Sequence, residues 1–142
     1  MKGIVLLFAS ALGLALTCAG QKPLTAADVV GDWTGESKCQ GNKDNSSCHD
    51  ETVMYHFTAV NDQPLRLHVA ADKLVNGNWE PMGEMEFAIE RDRPVLTAAF
   101  PVPRTGGKGV LVLTYMGDKM DGVMTLYPEN QVVRKIHIAR KR

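Results

Sequence analysis

The residues best suited to chemistry lie in a polar stretch with two clusters, 36–39 and 48–51. In an extended chain alternate side chains point the same way, so His49 and Glu51 converge on one side. Two ligands rarely hold a metal ion, and Glu36 is placed to supply a third. These side chains predict a divalent cation site and, with it, a metal-dependent hydrolase as one functional hypothesis. The alternative is a polar loop rim without a metal.

Three cysteines are divided between two parts of the chain. Cys18 lies in the leading segment, whereas Cys39 and Cys48 flank a polar loop. In an exported protein, two remaining cysteines most simply form a disulfide. We therefore predict a Cys39–Cys48 bridge, and a bridged Cys48 is not available as a metal ligand.

Two histidines become neighbours if two strands pair in one particular register. When Phe57 lies opposite Leu67, His56 lies opposite His68 on the outer face. Directly opposed side chains approach closely enough to share a proton or a metal ion. The alternative is a pair of solvated histidines on the outer wall.

The sequence contains no motif typical of a catalytic site. Gly-x-Ser-x-Gly, a phosphate-binding loop and His-Glu-x-x-His are all missing, so no catalytic residue is assigned and no cofactor is expected. The 16 basic and 16 acidic residues balance, which does not favour nucleic acid as a partner. The basic segment 134–142 is interpreted as a solvated strand end.

The first 20 residues have the features of a secretory signal. Lys2 precedes an apolar run over 4–16, which is shorter than the roughly 20 residues that span a bilayer. Cys18 and Gly20 are small residues before a cleavage site that leaves one domain, 21–142. Lipidation of Cys18 is the alternative. We expect a periplasmic or secreted protein without a transmembrane segment.

Alternation of apolar and polar residues dominates the mature chain and predicts strands with one buried face. It is clearest over 84–90, where Met85, Phe87 and Ile89 share one side. Turn-forming residues separate eight such segments, and a helical turn is expected over 26–30. The predicted strands are 31–37, 52–59, 65–75, 79–90, 94–100, 108–116, 119–127 and 131–140.

This pattern of short strands and hairpins predicts an all-β fold. With no crossover helix, we expect a single antiparallel up-and-down β-barrel of about eight strands, which leaves no open edges. A two-sheet sandwich and a half-open barrel are the alternatives. The run 108–115 is apolar on both faces, so it needs a cover outside the barrel. The segment 24–30 is placed to supply it.

The two ends of the mature chain carry residues suited to closing a barrel. Gly31 and Trp33 open the first strand, and Arg134 lies on the inner face of the last strand, in phase with Ile136 and Ile138. An inward arginine must be paired or stacked, and a tryptophan ring suits its guanidinium. A Gly-x-Trp with an arginine packed over it resembles the calycin superfamily of lipocalins, fatty-acid-binding proteins and avidins.

This resemblance implies a lipocalin-like cup that binds a small apolar or amphipathic molecule, with Gly31, Trp33 and Arg134 as closure residues. The expected ligand contacts are inward residues near the open end, namely Tyr55, Leu67, Phe87 and Tyr115. Bulky inward residues can also fill a small barrel. A solid barrel that acts through its surface as an interaction protein is therefore the alternative function.

The chain is also similar to a family of small exported bacterial proteins with no assigned activity. The shared stretches are Trp-x-Gly-Glu-Ser-x-Cys, Cys-His-Asp-Glu, Asp-Lys-x-Val-Asn-Gly and Met-Gly, at 33–39, 48–51, 72–77 and 82–83. This resemblance implies export and a single domain, and it implies no activity.

Overall fold

Eight strands follow one short helix along the chain. The computed structural model describes residues 20, 22–41 and 48–142. Residues 1–19 of the predicted signal segment 1–20, which include Cys18, lie outside the described residues, as do residue 21 and the loop 42–47. The elements are α1 (Ala26–Val29), β1 (Gly31–Cys39), β2 (Glu51–Val60), β3 (Gln63–Val75), β4 (Asn78–Ile89), β5 (Val95–Val102), β6 (Gly107–Tyr115), β7 (Lys119–Tyr127) and β8 (Gln131–Arg140).

The strands form a closed antiparallel barrel in which each strand pairs with the next and β8 pairs with β1. The predicted fold class is confirmed, and every predicted strand end lies within two residues of the observed one. Asp62, Asn76 and Asn130 adopt positive φ in three hairpin turns, a conformation that Asn and Asp tolerate. Closure into a barrel leaves neither of the terminal strands with an unpaired edge.

Helix α1 plugs one end of the barrel, which we call the closed end. Thr25 starts the helix, because its backbone N–H and its hydroxyl both donate to the Asp28 carboxylate, each at 2.9 Å. The backbone hydrogen bond from Thr25 is the largest cause that lowers the pKa of Asp28. In the described residues, no helix is long and apolar enough to cross a membrane.

The closed end is held by an arginine stacked on the first-strand tryptophan. The guanidinium of Arg140 lies 4.4 Å from the ring centroid of Trp33, and Trp33 is fully buried. Arg140 also donates to the carbonyls of Val30 at 2.8 Å and Asp28 at 2.6 Å. Trp33 Nε1 donates to the Val29 carbonyl at 2.9 Å. These contacts connect the helix, the first strand and the last strand.

The prediction that Arg134 packs over Trp33 is wrong. Both arginines lie on the inner face of β8, but the register places Arg140 opposite Trp33 and Arg134 opposite Cys39. The interpretation of 134–142 as a solvated strand end is therefore also wrong for Arg140, and it is wrong for Arg134, whose side chain is only 18% exposed. Gly31 has a φ of 128°, and a Cβ built there would lie 3.2 Å from Arg140 Nη1. Glycine at this position leaves room for the guanidinium.

The segment 24–30 does not cover the outer face of β6 as expected. It packs across the closed end, where the Tyr115 hydroxyl donates to the Asp28 carbonyl at 3.3 Å. Val110 and Val112 on the outer face of β6 are partly exposed as a result. Ala26 and Val29 of the helix are buried there in the same hydrophobic core as Trp33 and Phe57.

A disulfide joins Cys39, at the end of β1, to Cys48, just before β2. The predicted bridge is therefore confirmed. It lies at the other end of the barrel from α1, which we call the open end. The Cys39 backbone N–H donates to the Asp50 carboxylate at 2.9 Å, which adds a second connection across the same loop.

Replacing Arg140 tests its role at the closed end. We expect Arg140→Gln to lower the free energy of unfolding by about 2–3 kcal/mol, because a desolvated cation–π contact and charge-assisted hydrogen bonds are lost. Urea denaturation measures the change. The neighbouring exposed cation serves as the control, and Lys141→Gln should change stability by less than about 0.5 kcal/mol. Equal effects of the two variants would contradict the assignment.

Removing the disulfide tests its contribution to stability. The cysteines are nine residues apart, and closing so short a loop stabilises by about 2–3 kcal/mol on the chain-entropy estimate. We expect Cys39→Ser to melt at a lower temperature than the wild type without reductant. Adding reductant should lower the wild type to the level of the variant. A wild type that melts at the same temperature with and without reductant would sink the prediction.

Candidate functional site

A cavity of about 280 Å³ opens at the open end of the barrel. Its size lies at the lower limit of small-molecule sites, which typically measure about 300–1,000 Å³. Most of its wall is apolar, and one side carries charged and hydroxyl groups. The lining residues are Ser37, Glu51, Val53, Tyr55, Ala71, Met82, Gly83, Glu84, Met85, Phe100, Met124 and Arg134.

The cavity lies where one facing pair of inward residues is small. In the closed half, Leu67 pairs with Phe87 across β3 and β4, and both are fully buried. In the open half, the corresponding pair is Ala71 with Gly83. A Cβ built on Gly83 would have nothing within 4 Å. The barrel is therefore packed in one half and hollow in the other.

Arg134 crosses the polar side of the cavity. Its Nη1 donates to the Ser37 hydroxyl at 3.1 Å and to the carbonyls of Ser37 and His49 at 3.2 and 3.3 Å. The same nitrogen lies 3.3 Å from Glu51 Oε2. Both charged side chains are mostly buried, with 18% of Arg134 and 12% of Glu51 exposed. The pairing compensates for the cost of removing each charge from water.

The hydroxyl of Tyr55 faces the cavity without a protein partner among the described residues. Tyr55 is 4% exposed, and its hydroxyl makes no hydrogen bond with the described residues. Every fully buried side-chain N or O atom of the described residues has a hydrogen-bond partner. The hydroxyl is therefore not fully buried and must reach the cavity space. Burial is the main cause that raises the pKa of Tyr55 to about 12. The hydroxyl is therefore a protonated donor at neutral pH.

Of the four predicted ligand contacts, one lies at the cavity and three lie elsewhere in the barrel. Tyr55 lines the cavity, whereas Leu67 and Phe87 are fully buried in the packed half. Tyr115 lies at the closed end, where its ring contacts Trp33 at a centroid distance of 6.1 Å. Three of the four residues therefore lie outside this cavity, because alternation identifies the inner face but not the end of the barrel that is hollow.

Several lining residues were missed by the sequence analysis. Val53, Met85, Phe100 and Met124 all line the cavity, and the inward phase of Val53 and Met85 was already visible in the alternation. Ala71 carried a different signal, because a small residue on an inner face indicates unfilled space. Small inward residues would have been the better guide to the cavity.

Glu36, His49 and Glu51 do not come together as a metal site. Glu36 points outward and lies 3.3 Å from Lys38, because its neighbour Ser37 is the residue that pairs with Glu51 and shares its inward face. His49 Nε2 lies 3.7 Å from Glu51 Oε1. The described residues contain no group of three or more His, Cys, Asp or Glu side chains arranged to hold a metal ion.

The predicted pairing of His56 with His68 is wrong. Phe57 pairs with Val69, which places His56 opposite Ala70, because the register shifts between Ala59 and Val60. Such a bulge cannot be located from alternation alone. His56 instead lies between two carboxylates, with Nδ1 2.7 Å from Asp32 and Nε2 3.1 Å from Asp72.

The two carboxylates favour the charged form of the His56 imidazole. The hydrogen bond to Asp32 is the largest cause that raises the pKa of His56, and the contact with Asp72 acts in the same direction. Burial opposes both. Asp32, His56 and Asp72 therefore form an ionic bridge across the outer faces of β1, β2 and β3.

A larger groove of about 700 Å³ lies outside the barrel at the closed end, between 22–24, 91–94 and 115–117. Two of its charged groups, Asp28 and Arg93, already have partners. Asp28 accepts from Thr25 and lies 3.5 Å from Lys22, and Arg93 makes a bidentate contact with Glu90 at 2.7 and 3.0 Å. We therefore take the smaller cavity inside the barrel as the candidate site.

Comparison with known proteins supports the fold. No protein-family model matches the chain, and no curated protein sequence does. A redesigned β-barrel, mFAP1, bound to DFHBI shares 16% identity over 82% of this chain and 99% of its own, with a TM-score of 0.58. A second redesigned β-barrel, b11L5F_LGL, shares 14% identity over 84% and 96%, with a TM-score of 0.60.

A natural protein has the same architecture. Secretory abundant heat soluble protein 4 from Ramazzottius varieornatus shares 12% identity over 80% of this chain and 94% of its own, with a TM-score of 0.50. At these identities the likeness extends to the fold alone. The chain is a closed up-and-down barrel of eight antiparallel strands.

The ionic bridge at His56 makes stability depend on pH. The folded state binds the imidazole proton more tightly than the unfolded state, whose histidine has a pKa of about 6.5. The contribution is complete below about pH 6.5 and is lost as pH rises through the raised pKa. We expect the free energy of unfolding to fall over that range in the wild type, as measured by urea denaturation.

Two variants isolate the effect. His56→Gln should remove this part of the pH dependence, whereas His68→Gln should keep it, because it leaves both carboxylate contacts of His56 in place. A His56→Gln protein with the same pH profile as the wild type would show that the bridge does not contribute.

Proposed function

We propose that this protein is an exported binding protein that holds a small apolar or amphipathic molecule in the cavity at its open end. The observation that carries the proposal is the hollow half of the barrel, where Ala71 and Gly83 replace the large inward pair of the packed half. A core that only had to be stable would gain from filling that space, because unfilled volume costs contacts.

The wall favours an apolar body on the ligand. Val53, Met85, Phe100 and Met124 present hydrocarbon and thioether surface to the cavity. Burying apolar ligand surface there contributes roughly 2.5 kcal/mol for each 100 Å² removed from water. Part of this gain offsets the entropy that the ligand loses on binding. The cavity wall is thus sufficient to retain a small molecule without covalent chemistry.

Two observations support export to a periplasmic or extracellular location. The Cys39–Cys48 disulfide requires an oxidising compartment to persist. The leading residues 1–20 have the sequence features of a cleaved signal. On this proposal the mature protein is 21–142, and anchoring through a lipid on Cys18 is the alternative.

Filling the cavity tests the proposal. Ala71→Phe places a ring into the open half, and we expect it to weaken binding of the neutral fluorescent probe N-phenyl-1-naphthylamine by about tenfold or more, which is about 1.4 kcal/mol. Probe fluorescence on titration measures the change. Ala99→Phe adds the same ring at an exposed position and should bind the probe within about twofold of the wild type.

Circular dichroism should show a folded barrel for both variants. A wild type that does not bind the probe, or an Ala71→Phe protein that binds it equally well, would argue against the cavity as the site.

An interaction protein is the second candidate, and the outer wall supplies the observation that favours it. On the outer faces of β6 and β7, Val112 lies opposite Val123, and both are partly exposed beside Val110. Lys135 and the Asp121–His137 pair border these apolar side chains. A protein that acts through this outer surface would lose nothing by Ala71→Phe, so the same variant separates the two candidates.

A further inference from the structure

Among the described residues, three methionines line the cavity at the open end. Met82, Met85 and Met124 place thioether groups in its wall, whereas Met54 and Met120 are buried elsewhere. A thioether is apolar and flexible, so it adapts to the shape of an apolar ligand. Of the described lining residues, only the methionines are readily converted by a peroxide into more polar side chains.

A β-bulge directs Met82 toward the cavity. The register between β3 and β4 shifts between Ala71 and Asp72. The shift leaves Met82 as an extra residue of β4, between Pro81 and Gly83, without a partner on β3. Strict alternation would place Met82 on the outer side, because Gly83 next to it faces inward. The bulge redirects the extra side chain, and Met82 lines the cavity instead.

Met82 is also accessible from solvent. Its exposed fraction is 39%, and Met85 and Met124 are less exposed. A dissolved oxidant therefore reaches Met82 first among the three. In the part of the chain that the structure describes, the other exposed methionine is Met116, which is 50% exposed. Met116 lines the groove outside the barrel at the closed end, so it provides an internal control.

Hydrogen peroxide oxidises the thioether of Met82 by transferring one oxygen atom to the sulfur. A lone pair of the sulfur attacks one peroxide oxygen while the O–O bond breaks. The sulfur loses two electrons, the peroxide is reduced, and the proton of the attacked oxygen moves to the departing hydroxide. The products are one sulfoxide and one molecule of water.

The sulfoxide changes the surface that a ligand meets. It carries a polar oxygen where the thioether presented apolar surface, and removing a polar group from water without a hydrogen-bond partner is costly. An apolar ligand in contact with the oxidised side chain would impose this cost. The oxidised cavity mouth therefore favours water over an apolar ligand.

We propose that Met82 is an oxidation site that controls binding in the cavity, and that its conversion to the sulfoxide by a peroxide weakens the binding of an apolar ligand. This inference rests on the proposed function, because it concerns regulation of the same cavity. Methionine sulfoxide reductases reverse the modification, so the change in affinity is reversible.

The test measures the binding of N-phenyl-1-naphthylamine before and after treatment with hydrogen peroxide, which is removed before the titration. Peptide mass spectrometry identifies the oxidised residues. We expect Met82 and Met116 to be oxidised before Met120, and the affinity to fall about tenfold. Reduction by methionine sulfoxide reductases should restore it.

The outcomes separate the inference from the proposed function. An unchanged affinity after Met82 has been oxidised, or oxidation of Met120 before Met82, would overturn the inference and leave the proposed function standing. An untreated wild type that does not bind the probe would overturn the proposed function and, with it, the inference.

Two matched variants identify the responsible sulfur. Met82→Leu has no sulfur at this position, so the treated variant should bind the probe within about twofold of its own untreated form. Met116→Leu should lose about tenfold on treatment, as the wild type does. An equal loss in Met82→Leu would show that oxidation elsewhere is responsible. If Met82→Leu fails to fold, as circular dichroism would report, the treated and re-reduced wild type still decides the inference.

Discussion

The pairing of the first strand with the last is the constraint on which the rest of the structure depends. Closing a sheet of eight strands removes its edges, and it brings Arg140 onto the ring of Trp33 at 4.4 Å. The same guanidinium binds the carbonyls at the end of α1. One side chain therefore closes the barrel and fixes the plug, and the cavity lies at the opposite end.

The closed half of the barrel contains most of the packed core, and the open half contains the candidate binding cavity. Large inward pairs such as Leu67 with Phe87 fill the closed half, so the hydrophobic contribution to folding is concentrated there. In the other half, the small inward pair of Ala71 and Gly83 leaves room for the cavity. Its charged groups, Arg134 and Glu51, are held by each other at 3.3 Å, which keeps the cavity wall polar on one side without an uncompensated charge.

The sequence predicted most of the fold because alternation and turn residues are local signals. Strand ends, the helical turn and the Cys39–Cys48 bridge all follow from neighbouring residues. The contacts between strands were harder, because a register shift near Ala59 moves His56 away from His68 and toward two aspartates. The same limit explains why the sequence analysis chose the wrong arginine. Alternation correctly placed Arg134 on the inner face, but only the register between β1 and β8 shows that Arg140 contacts Trp33.

The candidate site could be predicted only in part, since the hollow end of a barrel is defined by residues that are small rather than by residues that are reactive. Native mass spectrometry of the protein, purified gently from the organism that makes it, tests the binding cavity most directly. We expect a discrete additional mass on the folded protein that is lost on denaturation and is absent from an Ala71→Phe protein prepared in the same way. A bare wild-type mass under gentle conditions would contradict the cavity as a ligand site.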